Sequence, residues 1–521
     1  MRGNAMTELD VVVLAAGKGT RMKSALPKVL HRLAGRSMLD RVLDTATALG
    51  ARQVIVVSGH GAAQVDAAVA GRADTGRSNR GGDTKSTHGL AATSAMAQPV
   101  LRCVLQEPQL GTGHAVQQAA PVLSSADDTV VLVLNGDVPL IDGTTLEPLV
   151  RTAAAGHLAL LTVTLEEPHG YGRIVRSGSP GSSGDVQAII EEKDANPDQR
   201  ALHEIYTGVM AAPAGRLQGW LSRLSNQNAQ GEYYLTDVVA MAVADGVPVV
   251  GVPTDDPVQV AGINSPAQLA ALERAFQRRQ ADALMEAGVR LTDPARIDIR
   301  GALHCGRDVE IDVGCIFEGD VELADNVVIG AHCVIANARI AAGAQVQPFS
   351  HIDGGAQPVE IGEGARIGPF ARLRPGARLG AEVHIGNFVE VKNSTLGKGA
   401  KANHLAYLGD ASVGARVNFG AGSITANYDG VNKHRTVLGD GASIGSNCVL
   451  VAPVTVGENC TVAGGSTITR DTEAGTLAVA RARQVVVTRW KRPVKKISSP
   501  VAADYESSAV NEQPGGMQES K

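Results

Sequence analysis

The sequence predicts two unlike parts: an α/β, Rossmann-like half, then a parallel β-helix, joined by one long helix. Three observations carry this. From Ile361 to Lys392 the chain reads IGEGAR-IGPFAR-LRPGAR-LGAEVH-IGNFVE-VK, with an aliphatic residue every six positions at Ile361, Ile367, Leu373, Leu379, Ile385 and Val391. A six-residue period fits neither an α-helix nor an isolated strand, but it fits a coil of three short strands per turn, every sixth residue stacking inward. Second, the first half carries apolar runs bounded by glycine loops, such as DVVVLAA at 10–16 and TVVLVL at 129–134. Third, residues 268–287 form a long run of strong helix formers closed by Gly288.

The hexad recurs with slips from Val309 to Ile468, through Ile311, Phe317, Leu323, Ile329 and Ile335 early and Leu438, Ile444, Leu450, Val456 and Val462 late. After Val391 the register breaks. Leu396, Ala402 and Leu408 are offset by one, and Val413 and Phe419 shift again.

In the first half, residues 10–16 read as a strand, 37–49 as a helix and 53–57 as a strand, a β-α-β unit of a parallel sheet. Residues 71–99, rich in Gly, Ser, Thr, Asp and Arg without periodicity, read as a long flexible surface loop. Further strands are expected at 100–106, 129–134, 158–165 and 187–191, with a hairpin tip at 177–184 and a helix over 232–244. Residues 497–521 are polar and expected to be disordered.

At 521 residues the chain has room for two or three domains with substantial cores. Its 44% hydrophobic and 19% charged content describes a soluble globular protein, and a net charge of −5 gives no bias toward nucleic acid or anionic membrane. Six cysteines form no CxxC pair and no zinc spacing, which reads as reduced thiols filling small apolar spaces. The first ten residues lack the apolar core of a signal peptide, and no run of ~18 apolar residues occurs, so a cytoplasmic location without membrane insertion is expected. The basic run from Arg481 to Lys496 has Trp490 as its one aromatic, which favours phosphate binding and solvated charge over nucleic acid.

The loop GKGTRM lacks the third glycine of GxGxxG, and Gly17-Lys18 lacks the GxxxxGK spacing, so neither the dinucleotide fingerprint nor the P-loop applies. Instead LAAGKGTRM, followed by Leu26-Pro27-Lys28, puts backbone N–H groups and two cations, Arg21 and Lys28, beyond a strand's carboxyl end, where open α/β sheets bind phosphate. Further motifs follow: Gln106 with GTGHA at 111–115, Asn135-Gly136-Asp137, GYGRI at 170–174, EEKDA at 191–195, AQGEYYLTD at 229–237 and Gly262-Ile263-Asn264. In these the chain resembles the sugar-nucleotide pyrophosphorylases. With the hexads behind them, residues 9–496 resemble the bacterial bifunctional N-acetylglucosamine-1-phosphate uridyltransferase/glucosamine-1-phosphate acetyltransferases.

That resemblance implies attack of a sugar 1-phosphate on the α-phosphorus of UTP, with pyrophosphate leaving and catalysis by charge neutralisation and in-line positioning. It implies Mg²⁺ at Asp137 and Asn264, with Arg21 and Lys28 as catalytic cations on the triphosphate. One carboxylate and one amide oxygen suffice, because Mg²⁺ keeps several waters and takes substrate phosphates. It implies uridine contacts from Leu14, Ala15, Ala16, Gly17, Gln106, Gly111 and Thr112, a backbone contact at Asn135, and sugar contacts from Gly172 and Glu191. The plain reading of Asp137 is a strand-terminal turn carboxylate, which the surrounding motifs disfavour; Asn264 alone reads better as an N-cap or turn residue before Ser265-Pro266, and Glu191 alone as a surface charge beside Glu192 and Lys193. Two positions depart from the family pattern, which has Tyr where Asn135 stands and Asn where Tyr206 stands, so Tyr206 is left outside the expected site. Residues 71–99 look like an insertion relative to that family.

The hexad half resembles left-handed β-helix acyltransferases, which use acetyl-CoA and assemble as trimers with active sites between neighbours. HLAYLGD at 404–410, inside the register break, matches their H-L-x-Y-x-G-D motif. Acetyl transfer from a thioester to an amine needs a base near neutral pH, and the resemblance makes it His404. It further implies glucosamine 1-phosphate contacts from Arg374, Lys392, Tyr407, Asn418 and Asn427, with Arg374 and Lys392 on the phosphate. Acetyl-CoA contacts are implied at Ala421, Asn427, Tyr428, Ser446, Gly464 and Arg481, Gly464 standing where the family has Ala. Without the motif, His404 is an ordinary surface histidine and Arg374 a solvated corner charge among Arg366, Arg372 and Arg378.

The expected organisation is a nucleotidyltransferase domain over 7–266, a helical linker over 267–288, a left-handed β-helix acetyltransferase domain over 289–490 and a basic, then disordered tail over 491–521. The expected function is a cytoplasmic homotrimer that acetylates glucosamine 1-phosphate with acetyl-CoA, then transfers uridylyl from UTP to N-acetylglucosamine 1-phosphate. The alternative is a single-activity sugar nucleotidyltransferase whose β-helix serves only assembly or regulation.

Overall fold

The computed structural model describes residues 7–78, 98–126, 128–178, 184–228 and 230–494. It divides into two compact units, residues 1–480 and 481–521. In the first, seven strands follow one sheet path: Val249–Pro253, Leu158–Thr164, Glu204–Pro213, Thr129–Asn135, Glu8–Leu14, Gln53–Ser58, Val100–Leu105. Glu8–Leu14 is parallel to both neighbours, as the β-α-β pattern predicts. Val11, Val12 and Val13 are all fully buried, because helices cover both faces of a mainly parallel sheet.

Glu204–Pro213 departs from the simple parallel expectation: it runs antiparallel to both of its neighbours. A register shift between Tyr206 and Met210 bends it, and the antiparallel hairpin Arg173–Arg176/Val186–Ile190 attaches at Ile205. Residues 179–183 of the expected hairpin tip lie outside the described residues.

Three sequence readings are corrected. The loop expected to begin at Gly71 is helical to Ser78, within Ala62–Ser78. Arg72 holds it there by pairing with Asp44, and with Asp40 at 3.7 Å, on the helix Met38–Ala48. Residues 79–97 of that loop lie outside the described residues. The helix expected from Glu232 begins only at Asp237, since the Tyr233 backbone is engaged with Leu110 and Gly113, at 2.8 Å each. The joining helix is Pro266–Glu286, and Ser265, whose side chain accepts from Gln268 N–H, is its N-cap, so Asn264 is not. Gln277, buried on that helix, exchanges two hydrogen bonds with the Ile299 backbone (2.8 and 2.9 Å), fixing the helix to the first long strand that follows.

From Val289 the chain winds as a left-handed parallel β-helix of short strands, with an 11-stranded ladder on one face. Ile361, Ile367, Leu373, Leu379, Ile385 and Val391 all point into one core, at 4% exposure or less. Residues two before them, including Ala365, Ala371, Ala377, Val383 and Val389, are buried too, which explains the small residues within each hexad. The slips have a geometric cause. Arg366 pairs with His384, one three-hexad coil on, but His384 pairs with Lys401 and Lys401 with Asn418, each a residue sooner. Asn418 then pairs with Ser443, and the longer coil accommodates the loop 427–435.

All six cysteines are free, and burial pushes Cys315 up to about 11 and Cys333 up to about 12, in keeping with a packing role. Among the described residues no helix is long and apolar enough to cross a membrane. In the second unit, residues 481–494 are exposed without helix or strand, and the tail expected to be disordered lies outside the described residues.

Candidate active sites

Two cavities of about 480 and 450 Å³ adjoin beyond the carboxyl ends of Glu8–Leu14 and Thr129–Asn135, sharing Leu14, Thr112, Asn135 and Asp137 as a wall. Ala15, Ala16, Gly17, Gln106, Gly111 and Lys28 line the smaller one, so the residues expected to hold uridine come together. Gly19 permits this: its φ is +57°, and a Cβ there would lie 2.8 Å from Lys28 Cβ. Gln106 is buried, its amide donating to Gly111 O at 2.9 Å.

Arg21, Gly172, Glu191 and Asn264 line the larger cavity, with Tyr206 and Thr236. Glu191 accepts from the Thr236 hydroxyl at 3.2 Å. Burial pushes its carboxyl above the ordinary value; Thr236 opposes this, while Asp194 and Asp237 add to it. Glu191 is therefore a cavity group rather than a surface charge. Tyr206 donates its backbone N–H to Gly172 O at 2.9 Å, and its hydroxyl is buried with no hydrogen-bond partner among the described residues. Asn135 sits against a gap in the bent strand: a Cβ at Gly208 would fall 2.2 Å from Asn135 Nδ2.

At the shared wall the Lys28 ammonium donates to both Asp137 Oδ2 and Asn264 Oδ1, the latter at 3.0 Å. A carboxylate and an amide oxygen from distant parts of the chain thus converge on one cation. Hard oxygen donors around one point of positive charge fit Mg²⁺. Among the described residues no group of three or more His, Cys, Asp or Glu side chains is placed to hold a metal ion.

On the β-helix, Leu405 N–H donates to Asn387 O (3.1 Å), Gly422 to His404 O (3.3 Å), Asn447 to Ala421 O (2.7 Å) and Gly465 to Ser446 O (2.8 Å). These bonds set Asn387, His404, Ala421, Ser446 and Gly464 in one column, one residue per coil. The expected base and three expected acetyl-CoA residues are thereby aligned. Asn387, absent from the sequence reading, accepts from His404 Nδ1–H at 2.9 Å. Its signal was available: it precedes His404 by one short coil.

Across the Leu405–Ala406 corner, Tyr407 folds over Gly409, where a Cβ would lie 2.3 Å from its hydroxyl. Arg374 pairs with Glu390 at 2.7 Å and so is no solvated corner charge. Lys433 beside Lys392, together with burial and Arg374, holds the Lys392 pKa below its ordinary value, while Asp410 opposes them. Three crowded cations form a place where a phosphate relieves repulsion. Asn427 is buried and donates its amide to Asp410. Asn418 opens a short strand beside Lys401, and Tyr428 is exposed in the loop 427–435. Arg481 begins the second unit.

The model for the MobA-like NTP transferase domain matches residues 11–286, and that for the bacterial transferase hexapeptide (six repeats) matches 358–393 and 435–470. The hexapeptide matches cover the two regular ladders and skip the interval that holds His404 and Asn427. A bifunctional protein GlmU of Paracidovorax citrulli is 63% identical over 94% of this chain and 99% of its own. The chain belongs to the bifunctional GlmU family. Relatives of the same name from Albidiferax ferrireducens (62% identity) and Aromatoleum aromaticum (53%) cover 94% of this chain and 100% and 99% of their own.

Proposed function

We propose that this chain makes UDP-N-acetylglucosamine in two steps, each on its own part of the fold. Acetyl-CoA acetylates glucosamine 1-phosphate on the β-helix, and uridylyl then passes from UTP to N-acetylglucosamine 1-phosphate at the paired cavities. The observation that supports the reading is that the two halves carry separate clusters of suitable groups: Lys28 with Asp137 and Asn264 at the paired cavities, and His404 with Asn387 on the β-helix. Residues 7–266 would form the uridylyl domain, 267–288 the connecting helix, 289–490 the acetyl domain and 491–521 the tail.

In acetyl transfer, His404 Nε2 takes the proton from the sugar's amine as its nitrogen attacks the thioester carbonyl. The C–S bond then breaks, and the proton passes to the leaving thiolate. Asn387 on Nδ1–H leaves Nε2 with the lone pair. Arg374 and Lys392 hold the phosphate, with Tyr407, Asn418 and Asn427 around the sugar. Ala421, Ser446 and Gly464 line the acetyl-CoA path, with Asn427 and Tyr428 as further contacts.

In uridylyl transfer, a sugar-phosphate oxygen attacks the α-phosphorus and the bond to pyrophosphate breaks. Leu14 to Gly17, Gln106, Gly111 and Thr112 orient the uridine; Gly172 and Glu191 orient the sugar, with Asn135 between them. Arg21 and Lys28 neutralise phosphate charge. Mg²⁺ at Asp137 and Asn264 would supply additional neutralisation of the developing charge.

A homotrimer fits the exposed apolar column Phe349, Phe370 and Phe388, ring centroids 5.1 and 5.4 Å apart, which reaches Leu405 beside His404. A cytoplasmic enzyme fits six free cysteines. The test is an assay with all four substrates, each omitted in turn. Thiol release should require acetyl-CoA and vanish in His404→Ala while uridylyl transfer persists. If the unaltered chain releases no thiol, the two-step reading is lost.

A further inference from the structure

Glu191 and Glu192 are neighbours in sequence, but the fold sends them to different tasks. Glu191 lines the larger cavity, whereas Glu192 turns to the loop 169–172 that walls it. Glu192 Oε2 accepts from Gly170 N–H at 2.6 Å, and Oε1 lies 3.3 Å from both His169 Nδ1 and Arg173 Nη2. Arg173 is 1% exposed, and its Nη1 donates to Tyr171 O. A guanidinium that deeply buried needs a carboxylate, and among the described residues Glu192 is the one paired with it. On the far side, Arg200 Nε donates to Glu192 O at 3.3 Å and steadies its backbone.

The loop is thus tied at three consecutive residues: Gly170 by Glu192, Tyr171 by Arg173 and Gly172 by the Tyr206 N–H. Gly170, at φ +84°, holds a left-handed conformation that a free loop would readily leave. We infer that Glu192, backed by Arg173, is a positioning residue that holds loop 169–172 against the hexosamine 1-phosphate. It touches no reacting atom. The Gly170 N–H, with His169 and Arg173, holds the Glu192 carboxyl below its ordinary value despite some burial, so it stays an ionised acceptor at neutral pH. The inference rests on reading the larger cavity as the sugar site.

The test is steady-state uridylyl transfer by the full chain and its Glu192→Ala, Glu192→Gln and Glu191→Gln variants, with acetyl transfer measured alongside. Glu192→Ala should raise KM for N-acetylglucosamine 1-phosphate about tenfold, the scale of a charge-assisted hydrogen bond. Its KM for UTP and its acetyl transfer should not change. Glu192→Gln, which keeps an acceptor for Gly170 but no charge for Arg173, should recover part of the loss. An unchanged sugar KM in Glu192→Ala overturns the inference, as does a rise in both KM values together with a loss of acetyl transfer. Glu191→Gln separates the two failures. If it too leaves the sugar KM unchanged, the cavity is not the sugar site; if it alone raises that KM, only the positioning role falls.

Discussion

His404 Nδ1 and Asn387 Oδ1 lie 2.9 Å apart, one coil above the other on the same corner of the β-helix. An amide oxygen can only accept, so the bond fixes the tautomer with the proton on Nδ1 and the lone pair on Nε2. His404→Ala should lower acetyl-transfer kcat by about 10²–10⁴, the range of a general base. Asn387→Ala should lower it by about tenfold, since the imidazole remains but its tautomer and aim are free. Thiol release reads both, with uridylyl transfer unchanged. Equal rates for Asn387→Ala and the unaltered chain would sink the positioning argument.

Lys28 bridges Asp137 and Asn264. Asp137→Ala should cost uridylyl transfer at least about a hundredfold, because it removes the carboxylate at the point where the cation is held. Asn264→Ala leaves that charge and should instead raise the Mg²⁺ concentration needed for half-maximal rate. Chelating the metal should stop pyrophosphate release and leave thiol release intact. Survival of pyrophosphate release in Asp137→Ala at the original rate would remove Asp137 from the site.

The hexad ladder was readable because its period is local: one inward residue in six needs no knowledge of partners. The break was readable for the same reason, and it coincides with coils one residue short. Glu204–Pro213 was not, because Thr207-Gly208 interrupts its apolar run and its place beside Asn135 exists only once both strands pair. The Lys28 bridge joins groups more than a hundred residues apart, which no local pattern encodes. Nor could spacing tell which of Glu191 and Glu192 enters the cavity. Alternation after the strand Val186–Ile190 said only that adjacent side chains diverge.

Glu191 carries a stability signature opposite in sign to its use. Its folded pKa is raised by burial above the ordinary 4.5, so the folded state holds its proton more tightly than the unfolded chain does. Stability is therefore lost as pH rises from about 4.5 through the raised value. Glu191→Gln, which still offers Thr236 an acceptor, should melt at a higher temperature than the unaltered chain at pH ~7, with the gap closing in acid. Uridylyl transfer should decline in the same variant. Thermal melts across pH, paired with the sugar KM, check this, and an unchanged melt at neutral pH would remove Glu191 from the buried cavity.

Tyr206 combines a packed ring with a hydroxyl that is buried and unpartnered among the described residues. Burial, with the nearby Glu191 charge, pushes the phenol pKa far up, so the group is neutral at any working pH. A buried hydroxyl without a partner costs about 1 kcal/mol or more, whereas the ring contributes apolar contact in a cluster with Ile189, Leu235 and Met210. Tyr206→Phe removes the first and keeps the second, so stability to denaturant should rise by about 1 kcal/mol. The backbone bond to Gly172 persists, and the sugar KM should stay within about twofold. Tyr206→Ala should instead lose about 3–5 kcal/mol through the cavity it opens, and uridylyl transfer with it. A Tyr206→Phe variant that keeps its stability but loses about tenfold in kcat/KM would mean that the hydroxyl swings into the cavity to meet the sugar.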